Sequence, residues 1–77
     1  MKKVKNKELA QALGNRIREL RIQLNISQES LANEAEIPLS QVGRIERGET
    51  NPTLLTLYLI AIALKVDLRI LFDYNFE

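Results

Sequence analysis

The 77-residue sequence contains no cysteine and no histidine. Without cysteine there is no disulfide framework, no thiolate zinc site and no thiol nucleophile, so the fold must rest on apolar packing. Without histidine the commonest general base and the commonest metal ligand are both missing. Neither GxGxxG nor GxxxxGKS/T occurs, which removes the usual phosphate-cradling loops. These absences argue against an enzyme, against a metal or other cofactor, and against a small-molecule ligand. Long apolar runs are lacking too. The longest covers residues 57–64, eight positions, where a bilayer span needs about 20. The N-terminus Met1-Lys-Lys-Val-Lys-Asn-Lys7 is basic, but polar residues follow where a signal peptide would carry an apolar stretch. A cytoplasmic protein without a membrane segment is expected. Strand alternation, repeats, low-complexity tracts and linkers are also absent, so residues 1–77 read as one domain. A chain this short hides only about 60% of its unfolded surface on folding, and a partner subunit would add to its thin stability.

Charge is present but unevenly spread. The net charge is +1, yet residues 1–25 carry seven Lys or Arg against two acids, a net +5, and the remainder carries four against eight, a net −4. Such polarity suits a molecule with one DNA-facing side, although the same charges also serve to solvate helix surfaces.

Leu9, Leu13, Ile17, Leu20 and Leu24 recur at spacings of four, four, three and four, which predicts a first helix over residues 7–24. Gly14 costs about 1 kcal/mol relative to Ala there, marking the preceding part as a separate, frayed extension. Asn25 is a suitable exit because asparagine tolerates the left-handed conformation. Ser27 then supplies an N-cap hydroxyl for a second helix over Gln28–Ala35, with Leu31, Ala32 and Ala35 inward. Pro38 fits the first turn of a third helix, where its missing N–H is no loss, and Gly48 ends that helix after Arg47. Residues 48–52 are rich in turn formers. Thr53 caps a fourth helix over residues 54–64, and Asp67 caps a short fifth over residues 68–72.

At about 100° per residue, Val42 and Ile45 define the inner side of the third helix, and Ser40, Gly43, Arg44 and Arg47 lie opposite. That face offers a hydroxyl, a glycine permitting close backbone approach, and two guanidinium groups, the side chain best shaped for bidentate contact with guanine or phosphate. Leu39 and Gln41 flank it. Leu39 stands in the first turn, where an aliphatic side chain can pack on a thymine methyl. A short helix just before, joined by a tight turn, completes the supersecondary unit that enters a major groove.

The stretches Leu13-Gly-Asn-Arg-Ile-Arg-Glu-Leu-Arg21, Ile26-Ser-Gln-Glu-Ser-Leu-Ala32, Gln41-Val-Gly-Arg-Ile-Glu-Arg-Gly48, Asn51-Pro-Thr-Leu54 and Leu68-Arg-Ile-Leu-Phe72 stand in the order found in one family. Over roughly residues 13–72 the chain resembles the Cro/C1-type helix-turn-helix proteins of phage and bacteria. The resemblance implies an all-α, compact five-helix, lambda-repressor-like domain, with helices two and three as the helix-turn-helix. It implies that Leu39, Ser40 and Arg44, with Gly43 beside them, read bases. Gln28 would bind phosphate or buttress a base contact, and Gln41, Arg47 and Asn51 would meet phosphates. Arg21 and Glu46 match the positions of a buried ion pair joining helices one and three. Two residues depart from the family pattern. Glu36 stands at the turn position often filled by glycine, where a left-handed conformation costs about 1 to 2 kcal/mol. Pro38 stands where many members place a Ser or Thr cap, and it offers a phosphate neither a side-chain cap nor an N–H.

The basic arm, with Lys2, Lys3, Lys5 and Lys7, either follows phosphates or is a solubilising tail, and the second is favoured because termini seldom order without a partner. Helix four carries a core stripe of Leu54, Leu57, Ala61 and Leu64 and a second stripe of Leu55, Leu59 and Ile62 with Tyr58 beside it. An element apolar all round in so small a chain calls for a cover, and a second subunit supplies one. Ile70, Tyr74 and Phe76 are candidates to extend that interface, unless the tail at residues 73–77 folds back over helix four. The expected protein is a homodimeric transcription regulator, repressor or activator, bound to double-stranded DNA at an inverted repeat. With no room for a sensor domain, its control falls to concentration, dimerisation or a partner, as in Cro-like repressors and restriction-modification controllers. The competing expectation is a protein-interaction module, an antitoxin or adaptor that uses the helix-four stripe.

Overall fold

The computed structural model describes residues 6–74. Within them the chain forms α1 (Asn6–Gln23), α2 (Gln28–Ala35), α3 (Leu39–Glu46), α4 (Leu54–Ala63) and a closing 3-10 helix (Leu68–Phe72), with no strand among the described residues. The architecture is all-helical, as expected, with the fifth piece a 3-10 turn. Asp67 precedes that turn in extended conformation but makes no side-chain cap bond.

Start signals act where the sequence put them in two helices. The Ser27 side chain accepts a hydrogen bond from the Ser30 N–H, and Thr53 accepts one from the Thr56 N–H. Pro38 differs from expectation. It stands just outside α3, at φ −62° and ψ 144°, so the helix begins at Leu39, and the Pro38 carbonyl accepts from the Gln41 and Val42 N–H groups. An extended ψ is what a residue entering a helix needs, and the proline ring pre-sets the φ.

All four α-helices end alike. Asn25, Glu36, Gly48 and Lys65 adopt left-handed backbone, at φ 60°, 59°, 73° and 62°. After each, the next N–H reaches back five residues to a carbonyl: Ile26 to Arg21, Ile37 to Ala32, Glu49 to Arg44 and Val66 to Ala61. This is the Schellman closure, which satisfies carbonyls left without intrahelical partners. Glu36 thus takes the left-handed conformation that glycine would adopt more cheaply.

The core joins Leu13, Ile17 and Leu20 of α1 to Leu31, Ala32 and Ala35 of α2, Val42 and Ile45 of α3, Leu57, Ile60, Ala61 and Ala63 of α4, and Leu64 and Leu71 beyond it. Helix α3 packs on α1 and α2, α4 packs on α2, and the 3-10 helix bridges α1 and α4. Three expectations change here. Helix α1 runs unbroken through Gly14, because that glycine is an approach point: a Cβ there would stand 2.3 Å from the Ile45 carbonyl oxygen. Leu9 and Leu24, at the two ends of α1, are exposed, since the core does not reach that far. On α4, Leu54 is 68% exposed and the fully buried Ile60 takes its place, so the buried face is rotated from the expected one. No described helix is long and apolar enough to cross a membrane.

Candidate nucleic-acid interface

Helix α3 is held from behind by a buried polar cluster. The Arg21 Nε donates to Glu46 Oε2 at 2.7 Å, its Nη2 to Glu46 Oε1 at 3.1 Å, and its Nη1 to the Ile26 carbonyl at 2.9 Å. Gln28 Nε2 adds a bond to Glu46 Oε1 at 2.9 Å. The Glu46 side chain is 2% exposed and that of Arg21 12%. Two charges taken out of water are tolerated because nearly every donor and acceptor is matched. One cluster therefore ties together the end of α1, the turn into α2, the first residue of α2 and the last of α3. Gln28, expected at phosphate or a base contact, spends one amide hydrogen on this cluster and is half-buried.

The opposite side of α3 faces solvent. Leu39, Ser40, Arg44 and Arg47 are exposed and Gln41 is half-buried, while Val42 and Ile45 point inward. Gly43 is not open as expected. It is buried, with Arg47 folded over it, and a Cβ at position 43 would lie 3.0 Å from Arg47 Nη1. Arg47 also donates from Nε to Glu49 Oε2 at 2.9 Å. That hydrogen bond, with the two opposite charges, raises the Arg47 pKa and holds the Glu49 carboxyl below its usual range, with Arg44 adding to the effect on Glu49. Among the described residues Arg44 forms no ion pair of its own. Asn51 is exposed in the loop after α3. Lys7, exposed in the first turn of α1, borders a shallow recess with Gly48, Glu49, Thr50 and Asn51. Lys2, Lys3 and Lys5 lie outside the described residues.

A chain-level count of charge overstated the basic face. Arg21 is buried with Glu46, and Arg16 donates from Nε to the Ile70 carbonyl at 3.1 Å while pairing with Glu19, which pins the 3-10 helix to α1. Both arginines are structural. Glu49 is what sequence reasoning missed, because a pair two residues apart is not a helical spacing. Only the turn at Gly48 brings it round.

The match to a family model decides the relationship: the Helix-turn-helix model HTH_3 covers residues 17–71. The chain belongs to this helix-turn-helix family, of Cro/C1 type. The restriction-modification controller protein C.AhdI from Aeromonas hydrophila is 39% identical, over 80% of this chain and 94% of that one, with a TM-score of 0.80. An HTH_3 family transcriptional regulator from Vibrio cholerae is 28% identical over 88% of this chain, TM-score 0.83, but this helix-turn-helix chain spans only 38% of that one. The controller protein C.Esp1396I, solved as a tetramer with its natural 35 base-pair operator, is 28% identical over 84% of this chain and 86% of that one, TM-score 0.78. Comparison with curated proteins gives no match.

On α4, the helix-turn-helix chain leaves Leu55, Tyr58 and Ile62 exposed at 66%, 52% and 55%, with Leu54 beside them. Leu59 and Ile70, expected in the same stripe, are half-buried against the core. Ile62 also borders a notch of about 280 Å³ whose lining is mixed, with Leu24, Ile26 and Ala63 beside Ser30, Glu34 and Lys65. Tyr74 does not extend the stripe. It borders a separate groove with Leu9, Leu13, Pro52 and Phe72, so no part of the described tail covers the stripe. Phe76 lies outside the described residues.

Proposed function

We propose that this protein is a sequence-specific DNA-binding transcriptional regulator that acts as a homodimer on an inverted-repeat operator. The observation that carries the reading is the solvent face of α3. Leu39, Ser40 and Arg44 stand uncovered on a helix whose other side is fixed by the Arg21–Glu46–Gln28 cluster. A short helix fixed from behind and presenting an aliphatic group, a hydroxyl and a guanidinium suits base edges in a major groove, and Gln41, Arg47 and Asn51 would meet the flanking phosphates. Gly43 serves by its small size, letting Arg47 lie flat. No catalytic step is invoked. Membership of the helix-turn-helix family and the operator complex of C.Esp1396I support DNA as the partner.

The apolar outer face of α4 supports the dimer. Leu55, Tyr58 and Ile62 form an apolar surface that a second copy of the same helix would cover by two-fold symmetry. Two α3 helices roughly 34 Å apart would then meet successive major grooves on one face of the duplex. A protein-interaction module using the same stripe is the competing reading, and stoichiometry separates the two.

Selection of bound sequences from random duplex DNA, followed by titration of the winner and a scrambled control at two salt concentrations, tests the proposal. An enriched inverted repeat held well above the control at physiological salt is the expected result. Binding that is weak and vanishes alike for both duplexes as salt rises would overturn it.

A further inference from the structure

The four helix endings share one closure, and three of them place a β-branched apolar residue just after the left-handed position: Ile26, Ile37 and Val66, all half-buried against the core. That residue usually makes an apolar contact back onto its own helix. In the closure of α3 the same place is held by Glu49, which is exposed and contributes nothing to the core. Its backbone is nevertheless fixed as firmly as the others, by the 2.9 Å bond from its N–H to the Arg44 carbonyl and by the turn at Gly48. The carboxylate is thereby held at the end of the solvent face of α3, on Arg47 at 2.9 Å.

A carboxylate offers a guanidinium the same kind of oxygen acceptor that a phosphate does. It also brings a negative charge to the surface meant for a polyanion. On the solvent side of α3 the guanidiniums of Arg44 and Arg47 supply two positive charges, and Glu49 cancels one of them. An exposed pair of this kind is weakly held and exchanges readily for another anion.

We propose that Glu49 is an affinity-setting residue that acts through Arg47, its carboxylate taking the phosphate's place on that guanidinium until the operator delivers a phosphate in register. This inference rests on the DNA-binding role proposed above. On the operator, base contacts from Leu39, Ser40 and Arg44 seat α3 in the groove, and a phosphate arrives at a fixed distance from Arg47 and displaces the carboxylate. On other sequences no such seating occurs, and the phosphate competes with Glu49 unaided. Glu49 therefore lowers operator affinity by the full worth of the pair, and affinity for random DNA by no more than that.

The test compares the wild-type protein with Glu49→Gln, Arg47→Gln and the double variant, titrated onto the selected operator and a scrambled duplex across a series of salt concentrations. Glu49→Gln is expected to tighten binding to the operator about two- to fivefold, and binding to the scrambled duplex by no more than that. It should steepen the dependence of log K on log salt there by roughly one, the signature of one more phosphate neutralised. The ratio of operator to scrambled-duplex affinity should therefore hold or rise. In the Arg47→Gln background the same substitution should change neither quantity. Unchanged operator affinity in Glu49→Gln would overturn the inference, as would an equal gain with and without Arg47, which would mark a general charge effect. Wild-type protein that holds the operator no more tightly than the scrambled duplex would instead remove the DNA-reading function itself, and this inference with it. Thermal melting of each variant checks that the exposed substitutions leave the fold intact.

Discussion

At position 44 a guanidinium faces solvent with no carboxylate of its own among the described residues, whereas at position 47 the same group is bridged to Glu49. In the proposed complex the first would make two parallel hydrogen bonds to a guanine edge, and the second would contact the DNA backbone. Arg44→Ala is accordingly expected to cost about 1 to 3 kcal/mol on the selected operator and little on random DNA. Equal losses on both in a titration would assign Arg44 to phosphate. Behind the helix the energetics are different in kind. Glu46 is 2% exposed and receives three hydrogen bonds, two from Arg21 and one from Gln28. Glu46→Ala would leave the Arg21 charge buried without its partner, a loss of about 3 to 5 kcal/mol of stability measured by denaturant unfolding. Replacing Arg21 and Glu46 together by Met should recover most of that loss, because desolvating two charges nearly cancels their attraction. A double variant as unstable as the single one would mean that the pair itself, and not its disruption, governs the stability.

Element by element, what was legible in the sequence is what depends on neighbours in the chain. The caps Ser27 and Thr53, the exits Asn25 and Gly48, and the inward face of α2 all follow from spacing and local chemistry, and the structure has each of them. The solvent face of α3 was legible for Ser40, Arg44 and Arg47 because a helical wheel is a local object. Where residues far apart meet, the sequence was silent. Nothing in the run around Gly14 reveals that α3 lies against it, nor that Ile60 and not Leu54 completes the core. Likewise Glu49 escaped notice because a turn, not a helical period, brings it to Arg47. Gly14 yields a prediction of reversed sign. In an isolated helix Gly→Ala gains about 1 kcal/mol. Here the added Cβ would meet backbone atoms at 2.3, 2.7 and 2.9 Å, so α1 and α3 must separate. Gly14→Ala should therefore destabilise the protein by about 1 to 3 kcal/mol, the usual cost of overpacking, and lower the thermal midpoint. A raised midpoint would show that α1 stands further from α3 than the structure has it.

For the molecule as a whole, the question is what covers α4. Its buried side, with Leu57, Ile60 and Ala61, and its exposed side, with Leu55, Tyr58 and Ile62, are both apolar, and the described residues place no second layer over the latter. If two copies cover each other, folding and association are linked, and the thermal midpoint must rise with protein concentration. Ile62 is the best probe. It is 55% exposed, so a charge there leaves the core of one subunit untouched, whereas Leu59 is partly in that core. Ile62→Glu is expected to sediment as a monomer, to lose the concentration dependence of melting, and to bind the operator far more weakly, because two half-sites are no longer engaged at once. Its affinity for a single half-site should stay near that of one wild-type subunit, since α3 lies elsewhere on the fold. Sedimentation of the variant as an unchanged dimer would remove α4 from the interface. A wild-type protein that is monomeric at every concentration, with the stripe still exposed, would turn the same surface toward a different protein partner.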